Sequence, residues 1–329
     1  MNGLRSMYLN LFLYRKAGTM KSSNIGGQAV LEGIMMKNGK DYAVAVRKPD
    51  NEIEVKKDEY RSFVRWETLT KIPFIRGIFN FIDSMILGMK TLMYSASFYE
   101  EEESDSILTE EEAKKRERKE NLLMGITVAF SIVLAMGIFM VLPYAISGLF
   151  DKVISSRFAK SVIEGVVRIA IFIGYILLIS RMKDIQRVFM YHGAEHKCIN
   201  CIEHGLELNV ENVRKSSKQH KRCGTSFLFF VLFVSVIVCF FITAESPVLR
   251  VLLRIALIPL IAGISYELIR LAGNSDNLIV ELLSKPGMAL QNLTTKEPED
   301  DMIEVAIKAV EEVFDWKAYL RENFGADVK

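Results

Sequence analysis

The sequence predicts a mainly α-helical membrane protein with four transmembrane helices, a small cytoplasmic N-terminal β-meander, an amphipathic membrane-proximal helix and a helical cytoplasmic tail. Half of the 329 residues are hydrophobic, and they are distributed unevenly along the chain. Residues 121–150 and 223–244 carry no charged side chain, and each run is longer than the roughly 20 residues that cross a ~30 Å hydrocarbon core. The lipid bilayer is therefore the expected partner of this chain.

Two weaker hydrophobic runs accompany these two. Residues 161–180 contain Glu164 and Arg168 near their start, whereas residues 248–269 contain Arg250 and Arg254 near their start and Glu267 near their end. Charged side chains close to the ends of a transmembrane helix can reach the interface, so both runs are predicted to span, which makes four spans in all. The alternative is a pair of interfacial helices beside two true spans.

The distribution of Lys and Arg around the spans predicts their orientation. Residues 114–120, 181–226 and 270–285 contain 5, 9 and 2 of them, 16 in total, against 6 on the opposite side. The positive-inside rule therefore places the first side, and both termini, in the cytoplasm of a multi-pass protein of the cytoplasmic membrane. That compartment keeps thiols reduced, so cysteines there are read first as potential ligands.

The remaining chain divides into segments of different composition. Residues 1–19 are basic and apolar without a cleavage site, and we expect them to be extraneous or disordered, with Met20 as an alternative start. Residues 20–72 alternate as a β-element does, with strands at 28–36, 42–47 and 52–57. Residues 73–98 have the spacing of an amphipathic helix, and residues 99–120 form a charged linker or an exposed helix.

The four-helix membrane domain is assigned to residues 121–272, with a cytoplasmic loop at 181–226. The tail, 273–329, is predicted to begin with a short helix at 276–284 that ends at Pro286 and Gly287. An amphipathic helix at 301–314 follows and is expected to pack on the β-element. Overall charge is nearly balanced, with 42 Lys plus Arg against 40 Asp plus Glu, which argues against nucleic acid as a partner. Protein partners and a homo-oligomer both stay open.

All four histidines and three of the four cysteines lie between two of the hydrophobic runs. They form the strings YHGAEHKCINCIEHG and QHKRCGTSF, and such clustering of nitrogen and sulfur donors is typical of a metal site. The fourth cysteine, Cys239, lies within a hydrophobic run and is read as a small core residue. The sequence thus predicts a divalent metal site, with zinc as the expected metal, beside the membrane.

Helical geometry divides this cluster into two half-sites. Residues 184–204 are compatible with one helix that continues beyond the second span and stops at Gly205. At 100° per residue, His192, Glu195 and His196 share one face. Cys198, Cys201 and His204 lie on the opposite face.

The HxxEH string resembles the inverted zincin motif. In that chemistry His192 and His196 bind zinc, Glu195 is the catalytic general base, and His220 or Cys223 supplies a third ligand. A second possibility is a structural zinc site formed by the CxxCxxH set with His220 or Cys223. A third is that the string arose by chance and that the histidines make ordinary hydrogen bonds.

Three further residues are candidates for an accessory role. Cys201 belongs to the second half-site. Glu267 is spaced to pair with Arg270, and Asp276 lies in the string GNSDN at the cytoplasmic end of the fourth predicted span. The plainer interpretation of the last two is a helix-ending turn with an ion pair.

Several ordered motifs add a resemblance. GGQAVLEGIMMKNG, PFIRGIFNFIDSMILGMK, YHGAEHKCIN, HKRCGTSFLF, YELIRLAGNSDN and PGMALQNLTTKEPED together resemble the YqhQ-like family of uncharacterised bacterial membrane proteins, often labelled predicted metal-dependent enzymes. The resemblance centres on HGAEHK and HxRCGTSF, which implies site roles for His192, Glu195, His196, His220 and Cys223. Cys198 and His204 fall outside that pattern, which favours the HxxEH half-site.

Three functions follow as hypotheses. The first is a metal-dependent hydrolase at the inner leaflet that acts on a lipid, a peptide or a phosphate-containing substrate, with the GGQAVLEG segment as the other wall of its site. The second is a membrane scaffold or assembly factor that holds a structural metal. The third is a small-solute carrier in which four charged residues, Glu164, Arg168, Arg250 and Arg254, line a pathway.

Overall fold

A computed structural model describes residues 21–64, 71–99, 110–150, 152–242, 246–273, 277–326 and 328. The described chain begins with four strands: β1 (Gly26–Val30), β2 (Gly33–Asn38), β3 (Asp41–Arg47) and β4 (Ile53–Glu59). The helices that follow are α1 (Ile75–Ala96), α2 (Glu110–Met136), a π-helical turn (Gly137–Val141), α3 (Leu142–Gly148), α4 (Arg157–Ile179), α5 (Lys183–Glu203), α6 (Val210–Lys215), α7 (Gly224–Phe240), α8 (Pro247–Ala256), α9 (Ile258–Gly273), α10 (Leu278–Thr294), α11 (Asp300–Val313) and α12 (Trp316–Phe324). The predicted N-terminal segment 1–19 lies outside the described residues.

The predicted β-meander is confirmed, with one more strand than expected. The strands pair in the order β1-β2-β3-β4, and all three pairs are antiparallel. The segment expected as a single strand at 28–36 folds back after Val30, and Glu32 adopts a positive φ of 49° in the turn. The carboxylate of Glu32 accepts hydrogen bonds from Arg187 and from the Tyr191 hydroxyl, so contacts with α5 hold a turn that the local sequence does not signal.

The sheet is covered on both faces. Its alternating side chains place Ile34, Met36, Ala43 and Ala45 in one core with α5 and α11, where Ile303 is also fully buried. The residues between them belong to a second core, which includes Leu87 of α1: Val30, Met35, Tyr42, Val44 and Val46. The tail helix α11 therefore packs on the β-element, as its amphipathic pattern indicates.

Two helix boundaries differ from expectation. The break at 180–182 separates α4 from α5, so the second predicted span and the HxxEH helix are not continuous. In the tail, α10 runs through Pro286 instead of ending there. Gly287 allows this helix to lie against the start of α7, because a Cβ at this position would be 3.2 Å from Ser226 Oγ. The close packing of α10 against α7 thus compensates for the backbone hydrogen bond that Pro286 cannot donate.

The apolar helices are compatible with a membrane protein, but they are not clearly four spans. Among the described residues, two segments are long and apolar enough to cross: Leu122–Gly148 and Phe158–Ile179. The pair Val248–Ala256 and Ile258–Gly273 is bent by 41° and counts as a third if it is one span. The helix α7 has only 17 residues, because it ends at Phe240, before the end of the uncharged run at residue 244.

The core between the sheet and the tail helices offers a direct test of the packing. We expect Leu320→Ala to destabilise the protein by about 2–5 kcal/mol, because Leu320 is fully buried on α12 and its truncation leaves a cavity. Thermal unfolding in detergent measures the change. Leu206→Ala is the matched control, since that side chain is 42% exposed. Equal stability of the two variants would contradict the packing described.

Candidate metal centre

The helix α5 presents the HxxEH face towards the other half of the cluster. The rings of His192 and His196 lie one turn apart, with centroids separated by 4.4 Å. Gly193 lies between them, and a Cβ there would be 2.0 Å from the Lys296 carbonyl oxygen. The glycine thus permits the chain after α10 to pass directly over this helix.

Cys223 brings the third donor. It is the N-cap residue of α7, and its sulfur accepts a hydrogen bond from the Thr225 amide at 3.3 Å. The same sulfur is 3.2 Å from His192 Nε2, and the donor atoms of His192, His196 and Cys223 all lie within 4.8 Å of one another. Zinc bonds of about 2.0–2.3 Å in a tetrahedral arrangement place donor atoms roughly 3–4 Å apart. A small contraction of this group therefore accommodates the ion.

Two main-chain carbonyls fix the orientation of the imidazoles. His192 Nδ1 is 3.0 Å from the Thr294 carbonyl oxygen, and His196 Nδ1 is 2.6 Å from that of Lys218. Because a carbonyl oxygen only accepts, each Nδ1 carries the proton and each Nε2 keeps its lone pair. Histidines that bind metals are held in this way by their second nitrogen. The donor set and its supports both fit a metal ion.

Glu195 lies beside these donors and is almost fully buried. Burial raises the pKa of its carboxyl group, and the neighbouring His192 and the Gly27 amide oppose that rise only in part. The carboxyl group lines a cavity of about 100 Å³ together with His192, His196 and Cys223. A buried carboxyl group beside a potential metal site is suited to general acid–base chemistry.

His220 lines the same cavity but does not join the three donors. Its Nε2 is 3.2 Å from Glu203 Oε2, and its Nδ1 accepts from the Arg222 amide at 3.4 Å. The backbone of His220 is clamped by the side-chain amide of Gln291, at 2.9 Å on its N–H and 2.7 Å on its carbonyl oxygen. The structure thus brings three of the four sequence-predicted ligands together and directs His220 towards Glu203.

Glu203 is a buried carboxylate beside the site that the sequence interpretation missed. It is fully buried and accepts hydrogen bonds from the Ser23 amide at 2.7 Å, the Ser23 hydroxyl at 2.8 Å, His220 and Arg222. Burial alone raises the pKa of this carboxyl group, but the His220 hydrogen bond and the Arg222 charge outweigh it and leave the pKa below its ordinary value. The sequence did contain a signal for this position. Glu203 follows His192 by eleven residues in one helix, and at 100° per residue the two side chains point only about 20° apart around the helix axis.

The second predicted half-site does not assemble as a metal site among the residues that the structure describes. Cys198 and Cys201 are buried in the core on the opposite face of α5, and burial raises the pKa of Cys201 to about 12. The Cys201 thiol is 3.4 Å from the Glu207 carbonyl oxygen, and His204 Nδ1 is 2.7 Å from that of Asn200. These residues serve the packing of the helix end.

The other accessory candidates lie elsewhere. Glu267 accepts hydrogen bonds from Arg76 Nε at 2.7 Å and the Phe74 amide at 3.2 Å, so it joins α9 to the start of α1. The pairing expected with Arg270 is replaced by this contact with Arg76. Asp276 lies outside the described residues.

A much larger cleft adjoins the metal cavity. It has a volume of about 890 Å³ and lies between the sheet and α1, with Tyr266 of α9 at one side. Gly26 and Gly27 line both cavities, so the start of β1 is the partition between them. This volume is typical of a site for a small molecule.

Comparisons with known proteins support the resemblance. A family model described as "Protein of unknown function (DUF1385)" matches residues 72–316, a range that includes all three donors. The chain is 36% identical to "Uncharacterized protein YqhQ" of Bacillus subtilis (strain 168) over 303 residues, which are 91% of this chain and 94% of that protein. No solved structure matches the chain significantly. Neither description assigns an activity.

Proposed function

We propose that this chain, which belongs to the DUF1385 family of proteins of unknown function, is a multi-pass protein of the cytoplasmic membrane with a metal-dependent hydrolytic site at its cytoplasmic face. One observation carries the proposal. Two imidazoles and a thiol converge, and each imidazole is locked with its Nε2 lone pair towards the others. Such pre-organisation is costly for side chains that only pack.

The donor set favours zinc and a catalytic role. Nitrogen and sulfur donors suit Zn²⁺, and a site with three protein ligands leaves one tetrahedral position for water or substrate. When bound, the ion would supply Lewis-acid chemistry that polarises a carbonyl or phosphoryl oxygen. Because His220 is engaged by Glu203, it does not close the fourth position in this arrangement. A purely structural site in a scaffold would be expected to be closed.

Glu195 is the proposed general base. Its buried carboxyl group has a raised pKa, which brings its proton affinity closer to the working pH. The Gly27 amide donates to this carboxylate and holds it beside His192. Glu195 would take a proton from the attacking water and return it to the leaving group.

Four spans remain our proposal for the membrane topology. The segments would be α2 with α3, α4, α7, and α8 with α9. The helix α7 is about 25 Å long at 1.5 Å per residue, which is slightly less than a ~30 Å hydrocarbon core. The Lys and Arg count then supports a cytoplasmic position for α5, the metal centre and both termini.

The carrier hypothesis receives little support. Glu164 pairs with Arg168 at 2.8 Å and with Arg254 at 2.7 Å, and these three side chains are buried against one another. The guanidinium of Arg250 lies over the Tyr144 ring at 5.2 Å. The cavity beside this cluster has a volume of only about 10 Å³, which is enough for one water molecule. Paired charges around so small a space do not form a solute pathway.

The substitution Glu195→Gln tests the catalytic assignment. We expect the variant to retain its zinc and to lose hydrolytic turnover by at least about 100-fold, because the amide cannot accept the proton. Purified protein would be assayed for zinc and against a panel of p-nitrophenyl esters and phosphates. Glu207→Gln is the matched control, since that carboxylate is exposed beyond the end of α5. Survival of both zinc and turnover in Glu195→Gln would refute the hydrolase.

A further inference from the structure

The large cleft beside the metal cavity has a strongly polar lining. Amide and hydroxyl groups come from β1 and α1, including Gln28, Asn80 and Ser84, and Tyr60 and Tyr266 add two phenols. At about 890 Å³ the cleft is nearly nine times larger than the metal cavity of about 100 Å³. A substrate headgroup would therefore sit mainly in the cleft and reach the donors only at one end.

Three cations line this cleft: Lys37, Lys40 and Arg61. In the part of the chain that the structure describes, none of them forms an ion pair, and the Lys37 ammonium lies over the Tyr60 ring at 4.7 Å. Lys37 is half-buried, and burial lowers its pKa by removing water from the ammonium, while the nearby Asp83 charge opposes that fall only in part. An anionic ligand would relieve that cost.

The two carboxylates of the cleft, Asp83 and Glu59, offset part of this charge, and the lining keeps one more cation than anions. Asp83 is buried and accepts hydrogen bonds from the Tyr60 hydroxyl at 2.7 Å, the Ser62 hydroxyl at 2.6 Å and the Phe63 amide at 3.3 Å. Its oxygens are thus already satisfied. Glu59 is the other carboxylate of the lining and is exposed at the end of β4. The unpaired cations leave the cleft suited to negative charge.

The helix α1 connects the cleft with the bilayer. One face of it contributes Asn80, Asp83 and Ser84 to the cleft. Its other face exposes large apolar side chains: Phe81, Ile82, Met85, Ile86, Met89 and Met93. A helix of this kind lies in the membrane interface with its apolar face among the acyl chains. A ligand in the cleft would consequently have its polar part at headgroup level.

Gly26 and Gly27 line both cavities, so the route by which a ligand in the cleft would reach the metal donors runs past them. A Cβ on Gly26 would have no atom within 4 Å, so the space beside it is open. A Cβ on Gly27 would be 3.0 Å from the Glu195 carboxyl carbon, so Gly27 lies directly against the proposed base. A larger side chain at position 26 can therefore narrow the passage without disturbing the metal donors.

We propose that the cleft binds the headgroup of an anionic, phosphate-bearing lipid and presents it to the metal cavity past Gly26. This assignment rests on the proposed function and supplies its substrate class. Hydrolysis of a phosphoester there would form a bond from the water oxygen to phosphorus and break the bond to the alcohol oxygen. The proton of the water would pass through Glu195 to that alcohol oxygen, so water is the only co-reactant.

The test uses the full chain purified in a non-ionic detergent. Short-chain phosphatidylglycerol, short-chain phosphatidylcholine and inorganic phosphate would each be titrated calorimetrically. We expect phosphatidylglycerol to bind at least about tenfold more tightly than the other two, because it joins a net negative charge to an apolar anchor. Lys37→Gln and Arg61→Gln should each weaken that binding about tenfold. Lys57→Gln is the matched control, since Lys57 pairs with Glu312 at 3.7 Å outside the cleft.

The outcomes separate this assignment from the proposed function. In cobalt-substituted protein, phosphatidylglycerol should shift the visible spectrum of the wild type but not that of Gly26→Leu, which should still load cobalt. Equal binding of phosphatidylcholine, binding of inorganic phosphate as tight as that of the lipid, or no effect of Lys37→Gln would overturn the cleft assignment while zinc content stays normal. Wild-type protein without bound metal would overturn the proposed function instead.

Discussion

Purified His192→Ala protein should bind zinc at least about 100-fold more weakly than the wild type, and Cys223→Ser should behave similarly. Loss of a residue that merely orients a ligand costs about 10–100-fold in metal affinity, so loss of a ligand itself should cost more. Both side chains contribute directly to the group of donors within 4.8 Å. Elemental analysis after gel filtration, followed by competition with a chromogenic chelator, measures the change.

Matched controls separate ligand loss from general damage. His204→Ala removes an imidazole from the C-terminal end of α5. Cys201→Ser removes a thiol from the face of α5 opposite to His192. Neither residue belongs to the three-donor group, so both variants should keep wild-type zinc. Serine at position 223 can still cap α7, which leaves the helix start intact. Zinc retained by His192→Ala but lost from Cys201→Ser would place the metal in the other half-site and refute ours.

Glu203→Ala should destabilise the protein by about 3–5 kcal/mol, the cost of leaving a buried partner charge unpaired. The Glu203 carboxylate is fully buried and is the common acceptor for His220, Arg222 and Ser23. Its removal leaves the buried His220 and Ser23 without this acceptor, whereas Arg222 is partly exposed and keeps contacts with Ser22 and Asn24. Thermal unfolding in detergent measures the loss, and Glu207→Ala, an exposed carboxylate nearby, should change little.

The Glu203 carboxylate should also make the stability of the protein depend on pH. Its folded-state pKa is lowered, so its contribution to stability is complete above the unfolded pKa of about 4.3 and is lost as the pH falls through the folded value. Wild-type stability should therefore decrease on acidification below about pH 4.3. Glu203→Gln should show a shallower decrease, since it has no carboxylate to protonate. Identical acid profiles would contradict the role assigned to Glu203.

Local geometry made part of the site predictable. Four-residue spacing in a helix fixes the shared face of His192 and His196, and the same angles correctly separate Cys201 from them. The convergence of Cys223 on that face depends on contacts with a different helix, so spacing alone left it as one of two alternatives with His220. The choice between them is made by Glu203, which engages His220 from the far end of α5.

The parts that could not be predicted come from distant segments. The Thr294 carbonyl and the Gln291 amide are available only because α10 continues through Pro286, where the local signal favours an end. Gly27 approaches Glu195 because β1 folds onto α5, although it is far away in sequence. Likewise, α7 ends at Phe240, although the apolar run continues to residue 244.

The position of Thr294 also has a consequence for the order in which the site can mature. Synthesis proceeds from the N-terminus, so all three donors leave the ribosome well before residue 294 is added. Until α10 has docked, His192 has no acceptor for its Nδ1 proton and its ring is free to rotate. A nascent chain would therefore contain all three donor residues before their side chains are held in the arrangement that the structure shows. The proposed metal site would therefore reach the arrangement described only after residue 294 has been synthesised and α10 has docked.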